Sequence, residues 1–269
     1  MRALLWWLLP LGLLIGFVFL GGALFSTDAH TLDRHAILLP PSAEHLLGTD
    51  RLGRDLFARV IEGGKNSLII GALSALIGSL LGLMIGITAG YFRGVVDRSV
   101  VVLIDLFLTF PTFFLLLTLV SYVDASVWML IVVISITGWM GTARLIRSEA
   151  FAIGAKPFIK ILKIGQVGLF RILFKYYAPL LAPIFLVSFT FGVSGAILAE
   201  SALSFLGLGI TPPQMSWGSL LAEGKAVIDV AWWVSFFPGL FIFLITFLLV
   251  QISDRLQALF NQRDLQSGA

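Results

Sequence analysis

The chain has no cysteine, few charged residues and only three histidines. Without thiols it can form neither disulfides nor thiolate metal sites, and the redox state of its compartment leaves no mark on it. Charged residues make up 12% of its 269 positions, against roughly 25% in an ordinary soluble domain, while 58% are hydrophobic and the mean hydropathy is +1.00. These figures exclude a soluble module. A net charge of only +3 also excludes a basic nucleic-acid binder. His30, His35 and His45 lack the i, i+4 pairing of a helical metal site, so no metal centre is expected. The one string resembling a phosphate-binding loop, Gly63 to Ser67, has Asn66 where Ser or Thr is required and no glycine five residues before Gly64. With no Ser, Cys or carboxylate set at catalytic spacing, the chain reads as a non-enzyme with no catalytic residue and no cofactor of its own.

What it does have is apolar sequence long enough to cross a bilayer, about 20 residues for about 30 Å of hydrocarbon. Six such runs lie near residues 3–25, 67–90, 99–122, 125–143, 178–199 and 231–252. The first reads as a retained span and not a signal peptide, because Ser26, Thr27, Asp28 and Ala29 follow it instead of a small-x-small cleavage site. Between the fourth and fifth runs, residues 144–178 carry Arg144, Arg147, Lys156, Lys160, Lys163, Arg171 and Lys175 against the single acid Glu149. A cation-rich loop of this kind belongs in the cytoplasm. The predicted fold is therefore an all-α membrane protein with six transmembrane helices and both termini cytoplasmic. Within the loop, Lys156 to Gly165 reads as a short helix, since Pro157 suits a first helical position and Gly165 suits a C-terminal cap.

The second run repeats Ser74, Gly78, Gly82, Gly86 and Gly90 at intervals of four, a strip of nearly bare backbone for close helix packing. The fifth has a looser version in Ser188, Gly192, Gly195, Ala196 and Ala199. Pro111, Pro183 and the Pro238-Gly239 pair are expected to bend or loosen three spans. Two carboxylates stand out. Asp105 lies inside the third run, where either a structural pair with Arg98 or Arg144 or a role in a solute path fits; Glu200 sits where the fifth run is expected to reach solvent at the outer surface. The external segment 26–66 is predicted to hold an amphipathic interfacial helix capped by Thr49 or Asp50, with Leu52, Leu56, Phe57, Val60 and Ile61 opposite Arg51, Arg54, Asp55, Arg59 and Glu62. Such a helix could rest on lipid, gate an outer opening or touch a delivered partner. Residues 201–230, broken by Gly and Pro yet apolar, are predicted to fold back against the outer mouth.

Several long strings together resemble the permease subunits of bacterial ATP-binding-cassette importers, in the dipeptide, oligopeptide and nickel branch. They are HLLGTDRLGRDLFARV from His45, DRSVVVLIDLFLTFPT from Asp97, GWMGTARLIRSE from Gly138, AESALSFLGLGITPPQMSWGSLLAEG from Ala199 and FFPGLFIFLITFLLVQISDRLQ from Phe236. The resemblance divides the chain into a first transmembrane helix (1–25), an external segment (26–66) and a core permease domain (67–269). It also implies a second, homologous permease subunit, two ATP-binding subunits holding ATP and Mg, an extracytoplasmic substrate-binding protein, and a multi-pass place in the bacterial inner membrane. The short helix becomes a coupling helix, with Phe158, Ile161 and Leu162 entering the ATPase groove and Lys156, Lys160 and Lys163 on its rim; the other reading is a helix lying on anionic membrane lipid. Here the chain departs from the family pattern. Lys160, Ile161 and Leu162 stand where the family usually has Glu-Ala-Ala, and Gln166 stands where it usually has Gly, with Gly165 one residue early. A dedicated, more acidic ATPase groove follows, or else a diverged or regulatory subunit; a passive channel for another small solute is the remaining class. The short N-terminus and the DLFLTFPT string lean toward nickel-type members, while peptides are the broader expectation.

Overall fold

The structure, a computed structural model, describes residues 2–24, 28–123 and 126–267, with the side chains of 4–22, 28–123 and 126–260. Phe25, where the first predicted span ends, the following Ser26-Thr27 and the predicted start of the fourth span at 125 lie outside the described residues. Among the described residues all regular secondary structure is helical: α1 (Arg2–Leu24), α2 (Leu56–Phe92), α3 (Gly94–Thr109), α4 (Thr112–Val120), α5 (Val127–Ala155), α6 (Pro157–Ile164), α7 (Leu169–Ile172) leading through a π-helical turn (Leu173–Tyr177) into α8 (Ala178–Phe205), α9 (Trp217–Lys225) and α10 (Trp233–Ser267). Among the described residues five helices are long and apolar enough to cross a membrane, and a sixth span arises if α3 and α4 are counted as one. The protein is an integral membrane protein.

The bundle is organised around the contact between α2 and α5. A Cβ added to Gly82 would lie 2.7 Å from Thr142 Cβ, one at Gly86 2.7 Å from the Ala143 carbonyl oxygen, and one at Gly90 2.5 Å from Ala150 Cβ. Gly78 sits at ordinary contact distance, 3.4 Å from the Ser135 carbonyl oxygen. The backbones approach so closely that Ser135 Oγ donates to the Ser74 carbonyl across the interface at 3.3 Å. In α8 the looser strip divides: Gly192 packs against Ala75, whereas Gly195 faces open space.

Several expectations need correction. The amphipathic interfacial helix does not exist as a separate element. Residues 28–55 turn without forming a helix, and α2 starts at Leu56 and runs unbroken into the span. Asp50 and Thr49 cannot cap it because their side chains are already used: Asp50 Oδ1 accepts from the Leu52 and Arg54 amides at 2.8 and 3.0 Å, and Thr49 Oγ1 accepts from the Leu39 amide at 2.8 Å. Asp55 caps instead, accepting from the Ala58 amide at 3.0 Å. Gly53, at φ +74°, lets the loop pass against Asp33, whose carbonyl oxygen occupies the position a Cβ would take.

The third span is bent by 80° between α3 and α4, because Phe110 takes an extended conformation before Pro111. By contrast, α8 and α10 continue through Pro183 and Pro238. The basic segment predicted as a loop over 144–178 is mostly helical: α5 extends to Ala155, α6 occupies Pro157–Ile164 and the helix leading into α8 begins at Leu169. Residues 201–205 belong to α8, and only the remainder of 201–230 folds back, through α9.

The glycine contact generates a prediction. Gly86→Leu, forcing atoms into the Ala143–Ile146 backbone, is expected to cost about 1–3 kcal/mol. Gly138→Ala, with nothing within 4 Å of the added Cβ, is expected to change stability by less than about 0.5 kcal/mol. Thermal unfolding of the two variants in detergent tests this, and equal midpoints would refute close packing at Gly86.

Candidate functional site

Three polar or amphipathic features occupy different levels of the bundle. At one end, α6 links α5 to the helix leading into α8. Lys156 ends α5 and precedes Pro157, the first residue of α6. Five of the next seven residues are apolar, too many for one side of so short a helix. Ile159 is fully buried and Leu162 half-buried in a cluster with Ile87, Ile153, Ile172 and Leu181. Phe158, Ile161 and Ile164 point the other way and are 40%, 67% and 82% exposed. Leu162 therefore belongs to the seat of the helix and not to its outward face. Lys156, Lys160 and Lys163 are all exposed, and Lys163 also sets its Nζ 4.1 Å from the centre of the Tyr91 ring. Burial, with a smaller contribution from the charge of Arg93, holds the Lys163 ammonium below its usual pKa.

The C-terminus of α6 closes on two residues. Gly165 donates to the Ile161 carbonyl at 2.8 Å, Gln166 to Lys163 at 3.2 Å and Val167 to Leu162 at 3.1 Å. The left-handed residue of this cap is Gln166, at φ +52°, while Gly165 has φ −73°.

At the opposite end, α9 is held to the bundle by two polar clusters. Glu200, expected to meet solvent, is 0% exposed. Ser204 Oγ and Ser216 Oγ donate to its Oε1 at 2.7 and 2.6 Å, and Ser67 Oγ donates to Oε2 at 3.3 Å. The serine-rich composition that surrounds it was visible in the sequence, but its convergence from α2, α8 and the start of α9 was not. The second cluster was missed entirely. Glu223 on α9 accepts from Arg54 at 3.0 Å and from Arg59 at 2.9 Å, and both arginines also donate to Asp50. Arg59 is 2% exposed, so this part of the predicted polar face is internal, while Arg51 at its start is exposed. Burial pushes the Asp50 carboxyl up, but the charges of Arg59 and Arg54 and the amides of Leu52 and Arg54 together outweigh it and hold the group below the usual carboxylate range.

Between the two ends, α3 and α5 are joined by two ion pairs. Asp97 takes both Nε and Nη2 of Arg147, the latter contact being 2.8 Å. Asp105 accepts a single bond from Arg144 Nη2 at 2.7 Å. Among the described residues no group of three or more His, Cys, Asp or Glu side chains is arranged to hold a metal ion. His45 instead pairs with Asp55, its Nδ1 2.9 Å from Oδ2.

The chain is thus a multi-span helical bundle with a short seated helix at one end and a pinned helix at the other. Residues 82–264 match the family described as the binding-protein-dependent transport system inner membrane component, and the chain belongs to that family. It is 37% identical over 220 residues to the dipeptide transport system permease protein DppC of Bacillus subtilis, covering 81% of this chain and 69% of that one. With the oligopeptide transport system permease protein OppC of Haemophilus influenzae it shares 31% identity over 259 residues, 96% of this chain and 83% of the relative. Among solved structures it is similar to an inward-facing form of the MetNI methionine ABC transporter, with a TM-score of 0.60 and 16% identity over 76% of this chain and 95% of that one. That likeness concerns the fold.

Two predictions follow from this geometry. Gln166→Gly removes a left-handed non-glycine residue and is expected to stabilise α6 by about 1 kcal/mol, read as slower amide hydrogen exchange across 161–167; faster exchange would contradict it. The depressed Asp50 pKa means that its contribution to stability is complete above the ordinary carboxylate pKa of about 3.9 and is lost as pH falls below it. Hydrogen exchange in α9 should therefore stay protected from pH 7 to about pH 5 and lose protection only below about pH 4, once intrinsic exchange rates are corrected. Loss already at pH 6 would implicate another group.

Proposed function

We propose that this chain is the permease subunit of an ATP-driven importer that carries small peptides across the bacterial inner membrane by alternating access. The peptide assignment rests on the relatives, which include a dipeptide and an oligopeptide permease, and it takes precedence over nickel for that reason. In this reading α3 and α4 together form one of six spans, both termini are cytoplasmic, and α9 folds over the outer mouth. A second, homologous permease encloses the path and a substrate-binding protein delivers cargo from outside. Hydrolysis of ATP takes place in two separate subunits, which makes this chain a moving part and not an enzyme.

The observation that carries the proposal is the two-sided apolar character of α6. Ile159 and Leu162 fix it to the bundle, leaving Phe158, Ile161 and Ile164 exposed beside Lys156 and Lys160, on the side of the chain that the charge distribution assigns to the cytoplasm. An exposed apolar face on a helix seated between α5 and α8 suits a coupling element: force applied to it reaches two spans at once. A helix resting on anionic lipid would use the same residues, so the test must separate the two.

Phe158→Asp and Ile161→Asp are expected to reduce co-purification of the ATP-binding subunit, and ATP-dependent uptake of labelled dipeptide, at least tenfold while the bundle stays folded. Leu162→Ala is expected to destabilise the seat of α6 first. Normal ATPase retention and uptake in both aspartate variants would refute the coupling role, and uptake independent of ATP would favour a passive channel.

A further inference from the structure

The two ion pairs between α3 and α5 differ in a way that assigns them different work. Asp97–Arg147 is bidentate, with side chains only 14% and 27% exposed. It is enough to tie the two helices together. Asp105–Arg144 has one hydrogen bond and side chains 59% and 55% exposed. The second pair is therefore free to exchange partners.

Its depth makes that exposure informative. With 29 residues, α5 is about 43 Å long, so a core of about 30 Å centred on it leaves Arg144, eleven residues from Ala155, about 10 Å inside the hydrocarbon. Asp105, eleven residues into α3, lies about 16 Å from Gly94. A charged side chain at such depth faces protein or water, not lipid, and an aspartate is too short to snorkel to the interface. The surrounding surface of α5 is also unpacked: an added Cβ at Gly141, one turn from Arg144, or at Gly138, two turns away, meets no atom within 4 Å.

We propose that Asp105 and Arg144 line a water-filled solute passage and that a zwitterionic cargo opens their pair, its carboxylate taking Arg144 and its ammonium taking Asp105. A free peptide carries one of each charge, so the exchange replaces one water-exposed ion pair by two and leaves no charge unmatched. This rests on the peptide-permease reading, but the passage can be tested without it.

Because the chain has no cysteine, Gly141→Cys introduces a single thiol one turn from the pair. In membranes holding the assembled transporter, this thiol is expected to react with water-soluble methanethiosulfonates. Adding Arg144→Gln should slow the sulfonate reagent and speed the quaternary ammonium reagent by about three- to tenfold in their ratio, and adding Asp105→Asn should do the reverse. Each single variant is also expected to lower ATP-dependent dipeptide uptake at least tenfold with the ATPase still bound. An unreactive thiol, or a reagent ratio that ignores both substitutions, overturns the water-filled passage. Normal uptake in either variant, or uptake restored by the charge-reversed pair Asp105→Arg with Arg144→Asp, overturns the cargo role and leaves a structural one. If the unmodified transporter moves no peptide, the peptide reading and the cargo role fall together, while the thiol ratios still decide whether the passage holds water.

Discussion

The contact on which the rest of this structure depends is the column of glycines by which α2 meets α5. In a bilayer the lipid tails are as apolar as leucine, so helices gain little from burying hydrophobic surface and must be held by close backbone approach and interhelical hydrogen bonds. Gly82, Gly86 and Gly90 strip the α2 side of that interface to backbone along three successive turns, and α5 lays Thr142, Ala143, Ile146 and Ala150 directly on it. With α2 and α5 fixed, α8 packs against Ala75 on the same α2, and the two ends of the bundle acquire their different characters.

The two ends contrast in their chemistry. At the α9 end the fastenings are polar and directional: hydroxyls converging on Glu200, and a four-member charge network of Asp50, Arg54, Arg59 and Glu223. A buried network of this type tolerates little displacement, because separating one partner leaves another charge unpaired in a low-dielectric site. At the α6 end the seat is apolar, with Ile159 and Leu162 in a cluster that can shift without orphaning a polar group. In the proposed importer, this asymmetry would let the inner helix move against the bundle while the outer cap keeps its shape. In that reading force would enter where contact is non-directional and be resisted where it is directional.

The sequence made the hydrophobic runs, the glycine repeat and the short helix after Pro157 legible because each is a local pattern, set by spacing along one strand of chain. Its failures have a common cause. The amphipathic helix expected from Asp50 fails because the Asp50 carboxylate serves its own loop and two arginines, and only the fold brings Arg59 and Glu223, 164 residues apart, to the same place. Glu200 looked solvated because its position was judged from distance along the helix, while its burial comes from Ser67 and Ser216 on other segments. Leu162 was assigned to the wrong side of α6 since an amphipathic pattern predicts one apolar face, and this helix has two. The presence of five apolar residues in eight positions was the available sign. Ile159 and Ile164 were the residues it would have recovered.

The cap of α6 holds a non-glycine residue in a left-handed conformation. Gln166 adopts φ +52°, where glycine would carry no steric cost. The Schellman-type closure through Val167 and Leu162 is therefore imposed by the seat of the helix, which outweighs the steric preference of the side chain. The charge at the start of the helix is also unfavourable, although Pro157 suits its first position: Lys156 and Lys160 lie at or near the positive end and no acid occupies the first turn, an arrangement the helix dipole disfavours. Such a helix is held mainly by what it packs on, and a partner of suitable charge would stabilise it further. In the proposed importer, an acidic groove on the ATP-binding subunit that receives Lys156 and Lys160 around Phe158 and Ile161 would provide that stabilisation.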